Sequence, residues 1–164
     1  LKRFGLILLI SSAFIGLSCS KPDLGIDNKN TEKSDTTPVQ TQISSVPAVM
    51  VINESNPGST IDISNYRVEG KKVIFDFYSE YCPPCRKIAP VLEHLASIRK
   101  DIVIRKIDIN RKGVSGIDWA SPVAAQYSIE SIPYFILMSE TGEIIAKGDE
   151  ASNQIFKWFN ENNL

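Results

Sequence analysis

Two cysteines separated by two prolines, Cys82-Pro83-Pro84-Cys85, sit where an apolar stretch ends and a run of helical spacing begins. At the start of a helix that spacing puts the two sulfurs one turn apart, close enough to bridge. A cysteine at a helix start also faces backbone N–H groups and the positive end of the macrodipole. Both favour the thiolate, which is the nucleophile of thiol–disulfide exchange. This assigns attack to Cys82 and resolution of a mixed disulfide to Cys85. Pro83 and Pro84 stiffen the loop, and neither has an N–H to give a thiolate. Cys82 is therefore expected to be less acidic than the nucleophile of a strongly oxidising exchange protein. Two other chemistries fit the same residues. One is an inert structural disulfide, which needs no special neighbours; the strand-to-helix position favours exchange over it. The other is Cu(I) held by the cysteine pair, for which no further His or Met ligand lies nearby.

The elements that must position this pair follow from periodicity. Lys72 to Tyr78 is rich in β-branched and aromatic residues and reads as a buried central strand. Ile88, Val91, Leu92, Leu95 and Ile98 mark one face of a helix over Pro83–Ile98. Asp101–Ile109 reads as a second strand. Ser121-Pro122 supplies an N-cap and a proline at the first position of a short helix ending near Tyr127. Tyr134–Met138 and Glu143–Lys147 form a hairpin about Glu140-Thr141-Gly142. Ser152–Asn160, with Ile155, Phe156 and Phe159 on one face, is a closing helix. Upstream, Ala48–Ile52 is a short strand, and the weak alternation of Thr60–Ile63 reads as a short edge strand. Parallel strands joined by helices, then a hairpin and a helix, give an α/β fold with a mixed sheet covered on both faces.

Asp76 interrupts the central strand. An unpaired buried carboxylate is costly and persists with a partner or a proton, unless the strand lies at an edge and exposes it. Pro133 opens a strand, a common structural position. His94 falls off the apolar stripe of its helix and reads as solvated. Trp158 and Phe159 read as core, and there is no glycine-rich phosphate loop or nucleotide signature, so no cofactor is expected.

The segment Phe75-Asp76-Phe77-Tyr78-Ser79-Glu80-Tyr81-Cys82-Pro83-Pro84-Cys85-Arg86-Lys87-Ile88-Ala89-Pro90 resembles the active-site segment of the thioredoxin family. Ile132-Pro133 before a strand, then Thr141-Gly142-Glu143 and Gly148, resemble the second half of that family. The resemblance implies a thioredoxin fold, with a mixed central sheet flanked by helices, over residues 46–164. It implies that Asp76 lies beneath Cys85 and relays its proton, with Lys106 as partner. It also implies a cis Ile132–Pro133 bond facing the cysteines, where the Ile132 backbone pairs with an extended substrate. Tyr81, Pro83 and Pro84 complete the expected substrate contacts. Three departures stand out. Pro83 replaces the usual glycine, as in membrane-tethered thioredoxin-like reductases of the bacterial envelope. Tyr78 and Tyr81 stand where tryptophan is usual. Arg111–Ser121, carrying Trp119, is longer than in a minimal member, yet too short for the mid-fold strand and helix of the envelope reductases that act on apocytochrome c.

The chain has 164 residues, 43% hydrophobic and 23% charged, with a formal net charge of −1. That balance suits a soluble globular domain and excludes a polytopic membrane protein. Without a basic block, a nucleic-acid partner is not expected. Three cysteines and one histidine are too few for a Cys/His zinc cluster, and no metal is expected. Lys2 and Arg3 precede the uncharged run Phe4–Leu17, which at 14 residues has the length of a signal-peptide core rather than a membrane span. Residues 1–18 are accordingly expected to be a signal peptide. Gly16-Leu17-Ser18-Cys19 resembles a bacterial lipobox, although Gly16 stands where Leu or Val is usual. It implies lipidation of Cys19; the alternative is an ordinary signal peptide with a leftover cysteine. Removing Lys2 and Arg3 from the 18 basic residues leaves 16 against 19 acidic, a net charge of −3. The polar stretch 19–45 cannot bury enough apolar area to fold and reads as a tether with an r.m.s. span of roughly 25–30 Å. The expected location is the extracytoplasmic side of a bacterial membrane. The expected partners are protein thiols and disulfides, with a membrane reductase as electron donor if the protein works in the reducing direction, and the expected state is a monomer. The contrasting class is a lipoprotein that uses the same fold as a non-catalytic binding or chaperone surface.

Overall fold

The computed structural model describes residues 46–164. The expected signal peptide, the lipidation at Cys19 and the tether to residue 45 lie outside the described residues. The elements are β1 (Val49–Val51), a 3-10 turn (Ile63–Tyr66), β2 (Lys72–Tyr78), α1 (Pro83–Ile98), β3 (Ile102–Asp108), α2 (Pro122–Gln126), β4 (Tyr134–Met138), β5 (Ile144–Lys147) and α3 (Gly148–Glu161). The five strands form one sheet in the order β1-β3-β2-β4-β5. β1, β3 and β2 are parallel, while β4 runs antiparallel to β2 and pairs with β5 as a hairpin. This is the mixed, helix-flanked α/β sheet expected of the thioredoxin fold.

β2 is central, so alternate residues enter two different cores. Val73, Phe75 and Phe77 pack with Val103, Ile107, Ile136 and the α2 residues Val123 and Ala124. Ile74 packs on the other face with Ile104, Phe135, Leu92 and Leu95 of α1, and Trp158 and Phe159 of α3. By the same alternation Asp76 faces α1. The parallel register sets Asp76 opposite Lys106, which shares its face with Ile104.

Four details differ from what the sequence led one to expect. Thr60–Ile63 is not a strand. The Asp62 carboxylate accepts from the Ser64 backbone N–H at 3.0 Å and caps the 3-10 turn instead. Such a short acidic side chain offers the backbone a local partner that competes with a ladder. α3 begins at Gly148, where Asp149 and Glu150 suit the positive helix end. Its buried stripe is Ala151, Ile155, Trp158 and Phe159, so Phe156 falls outside it and is 50% exposed. Ile98, at the last turn of α1, is exposed as well.

Candidate active site

Cys82 caps the N-terminus of α1 with extended backbone (φ −98°, ψ 104°), and Pro83 and Pro84 fill the first turn. Proline is suited there because its missing N–H would have no helical partner. The backbone N–H of Cys85 donates to Cys82 Sγ at 3.1 Å. The two cysteines form a disulfide with an S–S distance of 2.13 Å and a Cα–Cα distance of 5.3 Å. The loop before them is pinned from within. Cys82 N–H donates to the Ser79 carbonyl at 3.1 Å, Tyr81 N–H donates to Ser79 Oγ at 3.1 Å, and the Arg86 guanidinium donates to the Glu80 carbonyl.

Across the sheet, the Ile132–Pro133 bond is cis. The Ile132 carbonyl oxygen lies 3.6 Å from Cys82 Sγ. The bridged sulfur carries no proton, so this is a contact in the oxidised state that a reduced thiol turns into a donor–acceptor pair. The loop and the Ile132–Pro133 segment nearly cover the disulfide: Cys82 is 2% exposed and Cys85 4%. Tyr81 stands beside them at 42% exposure, and Pro83 and Pro84 are exposed too. A groove of about 590 Å³ begins at Pro84 and Pro133 and runs between α1 and α3 over Ile88, Val91, Phe156 and Phe159.

Asp76 is 2% exposed, and its Oδ1 has no hydrogen-bond partner among the described residues. Burial pushes the carboxyl up to about 7, against the pull of the Lys106 ammonium and with a further push from Glu93. A cavity of about 210 Å³ joins Asp76, Cys85 and Lys106, lined also by Tyr78, Arg86 and Ala89. The buried reading of Asp76 therefore holds, and the edge-strand alternative fails. The ion pair of Lys106 is made with Glu93 of α1, Nζ to Oε1 3.8 Å, and its ammonium lies 4.9 Å from the centre of the Tyr78 ring. Glu93 is not among the residues that the sequence singles out. Its signal was spacing: Cys85, Ala89 and Glu93 recur every four residues on α1 and so line one face.

The long segment after β3 borders the other side of the site. Asp118, 4% exposed, receives a two-pronged contact from the Arg111 guanidinium at 2.7 and 2.9 Å. Gly58, at φ 76°, touches this segment so closely that a Cβ would lie 2.7 Å from the Arg111 nitrogen. Lys112 to Ser115 line a polar pocket of about 280 Å³ with Glu80 and Tyr81. A larger cavity of about 550 Å³, between β5 and α3, includes Lys72 at the far end of β2 from the cysteines. His94 is exposed on α1, as read from the helix periodicity.

A family model described as Thioredoxin matches residues 62–161. Among curated proteins, Thioredoxin H5 of Arabidopsis thaliana is 34% identical over 108 residues, which is 60% of this chain and 84% of that protein. Thioredoxin H3 of the same plant is 40% identical over 77 residues, 46% of this chain and 58% of that protein. A thioredoxin of Chlamydia trachomatis is 39% identical over 72 residues, 44% of this chain and 63% of that protein. The chain thus spans less than two thirds of the latter two. Among solved structures, Fasciola hepatica thioredoxin is 26% identical with a TM-score of 0.41, covering 56% of this chain and 82% of that one.

Proposed function

Since the chain belongs to the thioredoxin family, we propose that it is a thiol–disulfide oxidoreductase of the bacterial envelope, acting on protein clients through Cys82. The observation that carries this reading is the Cys82–Cys85 disulfide at the start of α1, with a buried carboxylate, its Oδ1 without a hydrogen-bond partner among the described residues, sharing a cavity with the inner cysteine. An inert structural bridge needs no such carboxylate, and retaining one costs stability.

In the reducing direction the Cys82 thiolate attacks a client disulfide. One Cys82–client S–S bond forms, the client S–S bond breaks, and one client sulfur leaves as a thiolate. The Asp76 carboxylate then takes the proton from the Cys85 thiol across their shared cavity. The Cys85 thiolate attacks Cys82 Sγ, closes the internal disulfide and expels the second client thiolate. Two electrons pass from the cysteine pair to the client, and an external dithiol donor restores the pair. Lys106 favours the ionised form of Asp76 by its charge. Ile132 and Pro133 hold the client segment against Cys82, with Tyr81, Pro83 and Pro84 forming the surrounding surface.

Residues 1–45 support the envelope assignment through the apolar run Phe4–Leu17, Cys19 and the polar stretch that follows. On this reading Cys19 carries the lipid and a membrane reductase supplies electrons. Labelling with a fatty-acid analogue tests the anchor: label on the native chain and none on Cys19→Ala supports it, and equal label contradicts it. Insulin reduction tests the chemistry. Activity lost in Cys82→Ser supports catalysis, while an inactive native protein returns the fold to a non-catalytic binding role.

A further inference from the structure

Lys106 stands opposite Asp76 in the β2–β3 register, on the same face of the sheet. Yet its ammonium reaches the Glu93 carboxylate at 3.8 Å, and Asp76 Oδ1 is left without a hydrogen-bond partner among the described residues. The Lys106 side chain keeps 16% of its surface in solvent and Glu93 keeps 55%, whereas Asp76 is 2% exposed, so the ion pair lies nearer solvent than the Asp76 carboxylate. Ala89, one helical turn from both Cys85 and Glu93, fills little of the space between them.

We propose that Glu93 is a positioning residue: it draws the Lys106 ammonium to the outer wall of the cavity and withholds it from the Asp76 carboxylate. The charged and titratable groups around Asp76 come from three elements. From β2 and the following loop come Tyr78 and Glu80, from α1 come Cys85, Arg86 and Glu93, and from β3 comes Lys106. On the remaining side β4 presents Phe135 as the register partner of Asp76, with no charge. Lys106 is thus the one cation from the sheet that bears on the carboxylate, and where its ammonium sits decides how firmly Asp76 holds a proton. A partly exposed ion pair at 3.8 Å such as Lys106–Glu93 is weak enough to be broken and remade within a catalytic cycle. The Tyr78 ring supports the ammonium in the outer position. The inference rests on the reading that Asp76 serves Cys85, and it adds a residue that tunes that service without touching a reacting sulfur.

The test is the titration of the Asp76 carboxyl, followed by carbon NMR in the full-length oxidised protein and in Glu93→Gln, Lys106→Met and the double variant. Lys106→Gln repeats the test should Lys106→Met fail to fold. Expected is an Asp76 midpoint that moves acidward by about half a pH unit or more in Glu93→Gln, and a clearly smaller movement when Lys106 is already neutral, where only the direct push of the Glu93 charge is lost. An unmoved midpoint in Glu93→Gln overturns the inference. So does an equal shift with and without the Lys106 charge, because Glu93 would then act on Asp76 directly and not through the lysine. The dependence of insulin reduction on pH separates the two levels. A profile unaltered in Asp76→Asn defeats the proton relay, whereas the NMR midpoints decide the role of Glu93 whatever the turnover does.

Discussion

The Cys82 sulfur lies 3.6 Å from the carbonyl oxygen of Ile132 and takes one backbone N–H, that of Cys85, at 3.1 Å. The carbonyl presents negative charge to a thiolate, and the two prolines at the helix start withhold the donors that would offset it. The reduced Cys82 thiol is therefore expected to be less acidic than the nucleophile of the most acidic exchange proteins, which titrates at about 3.5. Thiolate absorbance followed against pH in Cys85→Ser checks this. A midpoint below about 5 would show that the helix end outweighs the carbonyl.

Asp76 makes stability depend on pH in a definite direction. Burial pushes its carboxyl from the ordinary 3.8 up to about 7 in the folded chain. Between those values the folded chain binds more protons than the unfolded one, so stability falls as pH rises through this window. The destabilisation is absent below the lower value and complete above the higher. Asp76→Asn is expected to stabilise the domain by about 1–3 kcal/mol above neutral pH, less than the full carboxylate penalty because the buried amide also wants partners. The gain should shrink as pH drops toward 4. Urea denaturation at several pH values measures it, and a gain that does not vary with pH would argue against a protonation effect. The same substitution is expected to slow disulfide turnover.

Asp118 anchors the segment beside Tyr81 by accepting from Arg111 and, through its own N–H, by donating to Asn110 Oδ1 at 3.3 Å. Asp118→Ala leaves those donors without their acceptor. Hydrogen exchange should quicken at Val114 and Trp119, whose N–H groups close turns within the segment, while β2 and β3 stay protected. Exchange unchanged at both positions would show that Gly58 and the Asn110 contacts hold the segment without the ion pair.

The central strand, α1 with its cysteine cap and the hairpin were legible because each is written in one local signal: an apolar run, a stripe of helical spacing, a turn. Asp76 stood out for the same reason, as a charge where the strand permits none. Thr60–Ile63 was misread because its alternation was weak and a single carboxylate, Asp62, supplied a competing local cap. Phe156 was misplaced because helix periodicity gives the direction of a stripe but not its width. The near-complete cover over Cys82 and the Lys106–Glu93 pair depend on where loops and helices meet across the sheet, which spacing along one element does not encode. Spacing puts Glu93 on the Cys85 face of α1, but its pairing with Lys106 follows only from β3 lying beside α1.

Trapping decides whether the outer sulfur, 2% exposed in the bridged form, is open to a client when reduced. Cys85→Ser protein, reduced and mixed with a disulfide-bonded client such as insulin, is expected to accumulate a covalent adduct that dithiothreitol releases. In it the client should be joined to Cys82. No adduct from Cys85→Ser, or an equal one from Cys82→Ser, would contradict attack by Cys82.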